Sequence, residues 1–169
     1  MSASPRPLRL LIAVAGGGFL LETQALLEHL GERYERRYAV SADVVWKARQ
    51  MGLPEAHIHG ISVVTTLSQR SIWRRSLALA RGLRDAVRAV RAVRPDCVIC
   101  IGSSISFPLC LAGRLCGTRT VFIESMARVD RLSTTGALIS RLGLADRFYV
   151  QWPGMADAGR HLLYRGMVL

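Results

Sequence analysis

The stretch Arg94-Pro-Asp-Cys-Val-Ile-Cys-Ile-Gly-Ser-Ser-Ile-Ser-Phe-Pro108, continuing through Cys116 into Arg119-Thr-Val-Phe-Ile-Glu124, decides the fold. An apolar run of strand length, Asp96 to Gly102, leads through a Gly/Ser turn into a helical run from Pro108 to Cys116. A second apolar run, Arg119 to Glu124, follows at once. Two short strands without polar alternation, joined by a helix, read as a βαβ unit in a parallel sheet buried on both faces.

The same alternation extends outward in both directions. Strands are expected at Leu8–Ala15, Tyr38–Val45, His57–Val64 and Arg147–Gln151, and helices near Leu21–Tyr34, Lys47–Met51, Ser71–Val93 and Gly136–Leu144. This predicts an α/β fold, one parallel sheet with helices on both faces. Residues 1–7, rich in Ser, Pro and Arg, read as a flexible tail, and 8–169 as a single domain, since 169 residues suit one core. No apolar run approaches the roughly 20 residues that span a bilayer, so any membrane contact is expected to be peripheral. The run Leu10 to Ala15 also lacks the length and cleavage site of a signal peptide.

The net charge of +11 is almost wholly arginine, with Lys47 the only lysine. It favours an anionic partner, whether a phospholipid surface, a nucleic acid or a phosphorylated substrate. A GC-rich genome is an alternative source of the arginine bias. Cys97 and Cys100 form a C-x-x-C within a strand, where odd separation sends the side chains to opposite faces. With Cys110 and Cys116 they read as free thiols that pack as small hydrophobes. No metal-ligand cluster and no cofactor signature are present.

The run Ser71–Val93 is the most polarised segment. At 3.6 residues per turn, Ile72, Leu79, Leu83, Ala86, Val90 and Val93 share one side, and Arg70, Arg74, Arg81, Arg84, Arg88 and Arg91 the other. Trp73 and Leu77 fall beside the arginine row, and Asp85 is the cluster's one acid. Such a face suits an anionic bilayer surface, where each basic residue adds about 1 kcal/mol; a solvated helix face is the alternative. It lacks the interleaved aromatics of a single-strand nucleic-acid platform.

Candidate chemistry gathers at strand ends. Ala15-Gly-Gly-Gly-Phe-Leu-Leu-Glu-Thr23 joins the first strand to a helix, where Gly17 and Gly18 allow close approach of a ligand to a helix N-terminus; tight turning alone is the alternative. Gly102, Ser103 and Ser104 can hold a phosphate or a sugar hydroxyl, or cap the next helix. Glu124 ends an apolar strand and is expected at the sheet's rim or in a pair. Arg128 either pairs with Glu124 or holds a phosphate bidentately. Ser133, Thr134 and Thr135 follow, with Ser133 suited to an N-cap.

Taken together, Gly17-Gly18 with Glu22, the Arg94-Pro-Asp strand, Glu124-Ser-Met-Ala-Arg-Val-Asp-Arg-Leu-Ser-Thr-Thr-Gly136, Val150-Gln-Trp-Pro153 and Tyr164-Arg-Gly-Met167 carry a resemblance. The chain resembles the acceptor-side, membrane-associated subunits of the two-component UDP-N-acetylglucosamine transferase of lipid-linked oligosaccharide synthesis, and their bacterial PssD-like counterparts in polysaccharide biosynthesis. The resemblance implies a Rossmann-like domain equivalent to the N-terminal half of a GT-B glycosyltransferase. It implies an acceptor site at Gly17, Gly18, Glu22, Gly102, Ser103, Ser104, Arg128, Ser133 and Thr135, with Glu124 as the catalytic base or the anchor of the acceptor hydroxyl. A separate donor-binding subunit would supply the UDP-sugar and dock on the segment containing Gln151, Trp152, Tyr164, Gly166 and Met167. The acceptor would be a polyprenyl-pyrophosphate-linked saccharide at the cytoplasmic face of the membrane, contacted through Trp73, Arg74, Leu77, Arg81, Arg84 and Arg88. No cofactor, metal or nucleic acid is implied.

One position departs from the family pattern. Phe19 stands where these proteins usually carry a histidine, and a phenyl ring exchanges no proton. The departure motivates a second reading, a catalytically silent scaffold that holds the donor-binding subunit at the membrane.

Overall fold

The computed structural model of the chain describes residues 6–62 and 72–169, without the side chains of residues 72, 74 and 75. The expectations for residues 1–5 of the tail, for positions 63 and 64 of the third strand, for Ser71 and Arg70, and for the Arg74 side chain lie outside that description.

Among the described residues seven strands form one sheet: β1 (Arg9–Val14), β2 (Glu35–Ser41), β3 (Ile58–Ile61), β4 (Cys97–Ile101), β5 (Arg119–Ile123), β6 (Arg147–Val150) and β7 (Leu162–Tyr164). Their order is β3-β2-β1-β4-β5-β6-β7, and every neighbouring pair is parallel. Among the described residues five α-helices cover it: α1 (Gly18–Leu30), α2 (Val45–Gln50), α3 (Ile72–Val93), α4 (Ser106–Leu115) and α5 (Thr134–Arg141). The predicted architecture, a Rossmann-like parallel sheet between helical layers, is the one observed.

Side chains on alternate strand positions build two separate cores, because successive residues of a strand face opposite sides. Leu11, Ala13, Val98, Cys100, Phe122 and Phe148 face α3, α4 and α5. Leu10, Ile12, Val14, Ile99, Ile101 and Ile123 face the side of α1 and α2. Cys97 packs with the second group and Cys100 with the first, as their spacing predicts, and both are free thiols. Burial pushes the Cys97 thiol up to about 11.

Boundaries differ from the sequence reading where polar chemistry intervenes. The second strand begins earlier, at Glu35, because that carboxylate pairs with Arg9 and Arg37, each at 2.8 Å, and carries the strand through a charged segment. It ends at Ser41, whose hydroxyl turns onto the Asp43 carboxylate in a short 3-10 turn. The first helix stops at Leu30, since Gly31 adopts φ +60°. Strand β7 was not anticipated. The crossover that reaches it, residues 151–161, contains 3-10 turns in place of a recognisable amphipathic helix.

Helix α3 lies as its periodicity predicts. Ala86, Val90 and Val93 are buried, whereas Arg81, Arg84, Arg88 and Arg91 are exposed. Trp73 is 87% exposed and Leu77 52%. Arg84 lies 3.4 Å from Asp85, which also accepts from the Ser62 N–H at 3.2 Å and from its hydroxyl. Among the described residues no helix is long and apolar enough to cross a membrane. Of the tail, Arg6 is fixed by a two-pronged ion pair with Asp96 at 2.7 and 3.1 Å.

Candidate functional site

The strand order reverses between β1 and β4, and in open parallel sheets ligands bind outside the carboxyl ends of the strands at such a point. Two turns meet there. After β1, Gly17 at φ +70° caps α1, and Gly17 and Gly18 are both exposed. After β4, Gly102 and Ser103 are both left-handed, at φ +45° and +53°. The Phe19 ring lies against Gly102: a methyl group built there would sit 2.2 Å from Phe19 Cε1. Phe19 therefore fills the switch point with apolar surface.

The serine cluster does not cap α4. The Ser103 and Ser106 hydroxyls lie 3.0 Å apart, and Ser106 donates back to the Gly102 carbonyl. Among the described residues no side-chain cap hydrogen bond is made at the start of α4. Capping, one of the two readings of this turn, is thus not realised, and Ser103 and Ser104 remain half-exposed at the strand ends.

The third part is a buried polar network linking β5, β6 and α1. Glu124, the residue after β5, is 0% exposed. Its Oε1 accepts from the Ser125 N–H at 3.0 Å, and its Oε2 from the Ser133 N–H at 2.9 Å and the Ser133 hydroxyl at 3.0 Å. Burial pushes the Glu124 carboxyl above its usual value, opposed by the N–H groups of Ser133 and Ser125, the Ser133 hydroxyl and the nearby Arg128 charge. Ser133 also caps α5, its hydroxyl accepting from the Gly136 N–H at 2.9 Å.

Glu22, one turn into α1, is 2% exposed. It accepts from the Ser125 hydroxyl at 2.7 Å, the Met126 N–H at 3.2 Å and Gln151 Nε2 at 2.7 Å. Gln151, also 2% exposed, donates from the same nitrogen to the Glu124 carbonyl at 2.9 Å, and its Oε1 accepts from the Val168 N–H at 2.9 Å. Trp152 Nε1 donates to the Met126 carbonyl at 2.7 Å.

Several placements bear on the sequence reading. Glu124 is not at an open rim, because the chain from Ser125 to Ser133 folds back over it and supplies its hydrogen bonds. Of the two readings of Arg128, the pair with Glu124 is not formed; the guanidinium is exposed and free of any ion pair among the described residues. Gln151, expected at a partner surface, lies inside, held by Glu22 and Val168. Glu22 likewise sits beneath the site. Gly102, expected to bind the acceptor, is buried against the Phe19 ring. The remaining positions stay accessible to a ligand or partner: Gly17, Gly18, Arg128 and Gly166 are exposed, Ser133 and Thr135 half-buried, Trp152 and Tyr164 half-buried, and Met167 43% exposed. Met167, Gly166 and Gln151 line one cavity of about 210 Å³ beside the ends of β5 and β6.

Sequence reasoning missed the network itself. The available signal was a polar residue closing each of two adjacent apolar strands, Glu124 after Phe122-Ile123 and Gln151 after Tyr149-Val150.

Comparison with known proteins follows the same outline. The family profile "Oligosaccharide biosynthesis protein Alg14 like" matches residues 10–168. A human protein named UDP-N-acetylglucosamine transferase subunit ALG14 is 27% identical over 192 aligned positions, covering 100% of this chain and 87% of the human one. The Yarrowia lipolytica protein of the same name is 36% identical over 90 positions, covering 50% of this chain and 41% of its own length. The solved structure of Acinetobacter baumannii MurG superposes with a TM-score of 0.71 at 18% identity, covering 94% of this chain and 45% of that one. The chain thus spans about half the length of that structure.

Proposed function

The chain belongs to the Alg14-like family of oligosaccharide biosynthesis proteins, and from that premise we propose that it is the acceptor-binding subunit of a two-component UDP-N-acetylglucosamine transferase. A separate donor-binding subunit supplies the UDP-sugar, and the acceptor is a polyprenyl-pyrophosphate-linked saccharide at the cytoplasmic face of a membrane. The observation that carries the reading is the accessible strip after the carboxyl ends of β1, β4 and β5, with Gly17, Gly18 and Arg128 exposed and Ser103 and Ser104 half-exposed, on a scaffold that matches about half of MurG in fold.

Arg128 is the proposed phosphate ligand, since an unpaired guanidinium on an exposed loop matches a pyrophosphate oxygen pair. The turn at Gly102 to Ser104 faces the sugar or the second phosphate. Glu124, with both oxygens engaged, acts through the loop it holds and is a positioning residue. Helix α3 lies on the bilayer, with Trp73 and Leu77 at the headgroup boundary and Arg81, Arg84 and Arg88 on the anionic surface. Trp152, Tyr164, Gly166 and Met167 meet the partner.

The lone chain should bind vesicles carrying polyprenyl-pyrophosphate N-acetylglucosamine more tightly than vesicles of the same phospholipids without it. Arg128→Ala should remove that difference, whereas UDP-N-acetylglucosamine should not compete. Equal binding to both vesicle types would defeat the reading. The second reading, a silent scaffold, draws on Phe19 at the switch point. It predicts that Arg128→Ala leaves the assembled complex fully active.

A further inference from the structure

The network under the site does more than fix one loop, because a single side chain spans three parts of the chain. The Gln151 carboxamide takes the Val168 N–H on its oxygen, and its nitrogen serves Glu22 and the Glu124 carbonyl. Glu22 in turn holds the Ser125 hydroxyl and the Met126 N–H, and the Ser125 oxygen accepts from the Ala127 N–H at 3.3 Å.

We infer that Gln151 is a positioning residue that couples the segment Gly166–Val168 to the loop from Ser125 to Ser133. An amide suits this post in a way that no carboxylate or hydrocarbon does. It must accept at one end, from a backbone N–H, and donate at the other, to a carboxylate and a carbonyl. Gln151 is buried at 2% exposure, so water does not replace a broken link without the site opening. Moving Val168 away from β6 leaves the Gln151 oxygen unpartnered; turning the amide to recover a partner removes its N–H groups from Glu22. The loop that carries Arg128 then loses the group orienting its Glu22 anchor. The exposed Met167 sits beside Val168, so whatever docks on Met167 acts on this link. The coupling is a property of this chain alone. Its use, in which docking of the donor-binding subunit on Gly166–Met167 sets the acceptor loop, rests on the function proposed above.

Hydrogen exchange on the full chain tests the coupling without any turnover. Val168→Pro removes the N–H that Gln151 accepts together with the valine packing on the second core, and Val168→Ala, which keeps the N–H and loses the packing, is its control. The proline variant should accelerate exchange at the Met126 and Ala127 amides by about tenfold, the scale of one lost hydrogen bond, while the amides of β1 keep their rates. Unchanged rates at Met126 and Ala127 would overturn the inference.

Gln151→Glu supplies a second readout that a space-filling role would not move. A carboxylate there faces Glu22 with no proton to donate, so loop protection, the exchange rate set against the intrinsic rate at the same pH, should be low at neutral pH and should recover toward the wild-type value as the pH falls and a proton returns to the pair. Loop protection in that variant that stays at one level across the pH range would count against the coupling. In the assembled transferase, Val168→Pro should raise KM for the acceptor more than it lowers kcat. Altered exchange with unaltered KM would leave the coupling standing and defeat the proposed docking of the partner on that segment.

Discussion

Replacing Gly136 with alanine tests the buried carboxylate most sharply, because two effects of opposite sign meet there. Gly136 lies in the first turn of α5, and an alanine in a helix is ordinarily about 1 kcal/mol better than a glycine. Here the added methyl group would sit 2.1 Å from Glu124 Oε2, 3.1 Å from its carboxyl carbon and 3.2 Å from Ser133 Oγ. A side-chain end usually yields to such a clash, but Glu124 is 0% exposed and its Oε2 is held by two donors from Ser133. Displacing it forfeits two hydrogen bonds to a charged group at about 1.5–3 kcal/mol each, partly offset by helix propensity and local relaxation. The net expectation is a loss of about 2–4 kcal/mol, or about 4–16 °C in Tm at the scaling for a domain of this size. Urea unfolding followed by circular dichroism should show a lower midpoint with an unchanged slope. The cost should largely vanish when Glu124 is already alanine, since the two changes strike one contact. A Gly136→Ala protein as stable as the wild type, or more so, would refute the reasoning.

Gly102→Ala meets two penalties, a left-handed φ of +45° and the Phe19 ring at 2.2 Å, and should cost about 2–4 kcal/mol in the same assay; Phe19→Ala in that background should recover only the steric part. For pH dependence the signs differ between carboxylates. Burial raises the folded value of Glu124, so its native form binds a proton more readily than the unfolded chain, and its contribution falls as the pH rises from the ordinary carboxyl range to that higher value. The deficit of Glu124→Gln, caused by one backbone donor facing an amide nitrogen, should therefore shrink across that rise; a deficit that grows would reverse the assignment. For Asp85, burial alone would raise the value, but the Ser62 hydroxyl and N–H with Arg84 hold it lower, so its contribution is present above the ordinary aspartate range and is lost as the pH falls. Asp85→Asn should flatten the acid limb of wild-type stability. Charge reversal of Arg81, Arg84 and Arg88 to glutamate should abolish sedimentation with anionic vesicles, and Trp73→Ala should weaken it about fivefold or more; unaltered sedimentation would remove α3 from the membrane.

The fold was legible because its signals are local. Apolar runs such as Val98 to Ile101 and Val121 to Ile123 have no polar alternation, and the helices between them open near serine or glycine. The arginine face of α3 followed from its period alone. Strand β7 escaped because Leu162 to Tyr164 is short and its crossover has no helix to announce it. The candidate site was legible as a set of positions and illegible as an arrangement. Glu124, Ser133 and Arg128 stood out in sequence, but whether Glu124 faces solvent depends on how the chain from Ser125 to Ser133 closes. Gln151 was misread for a related reason. Its partners, Glu22 and Val168, are 129 and 17 residues away, and no pattern within its own strand points to them.

The central claim is that this chain is half of a transferase, built to hold the acceptor and to work only with a donor-binding subunit. Reconstitution with polyprenyl-pyrophosphate N-acetylglucosamine vesicles and UDP-N-acetylglucosamine tests it directly, with each subunit assayed alone and then together. The account predicts an extended lipid-linked saccharide only when both subunits are present; product formed by this chain alone would contradict it.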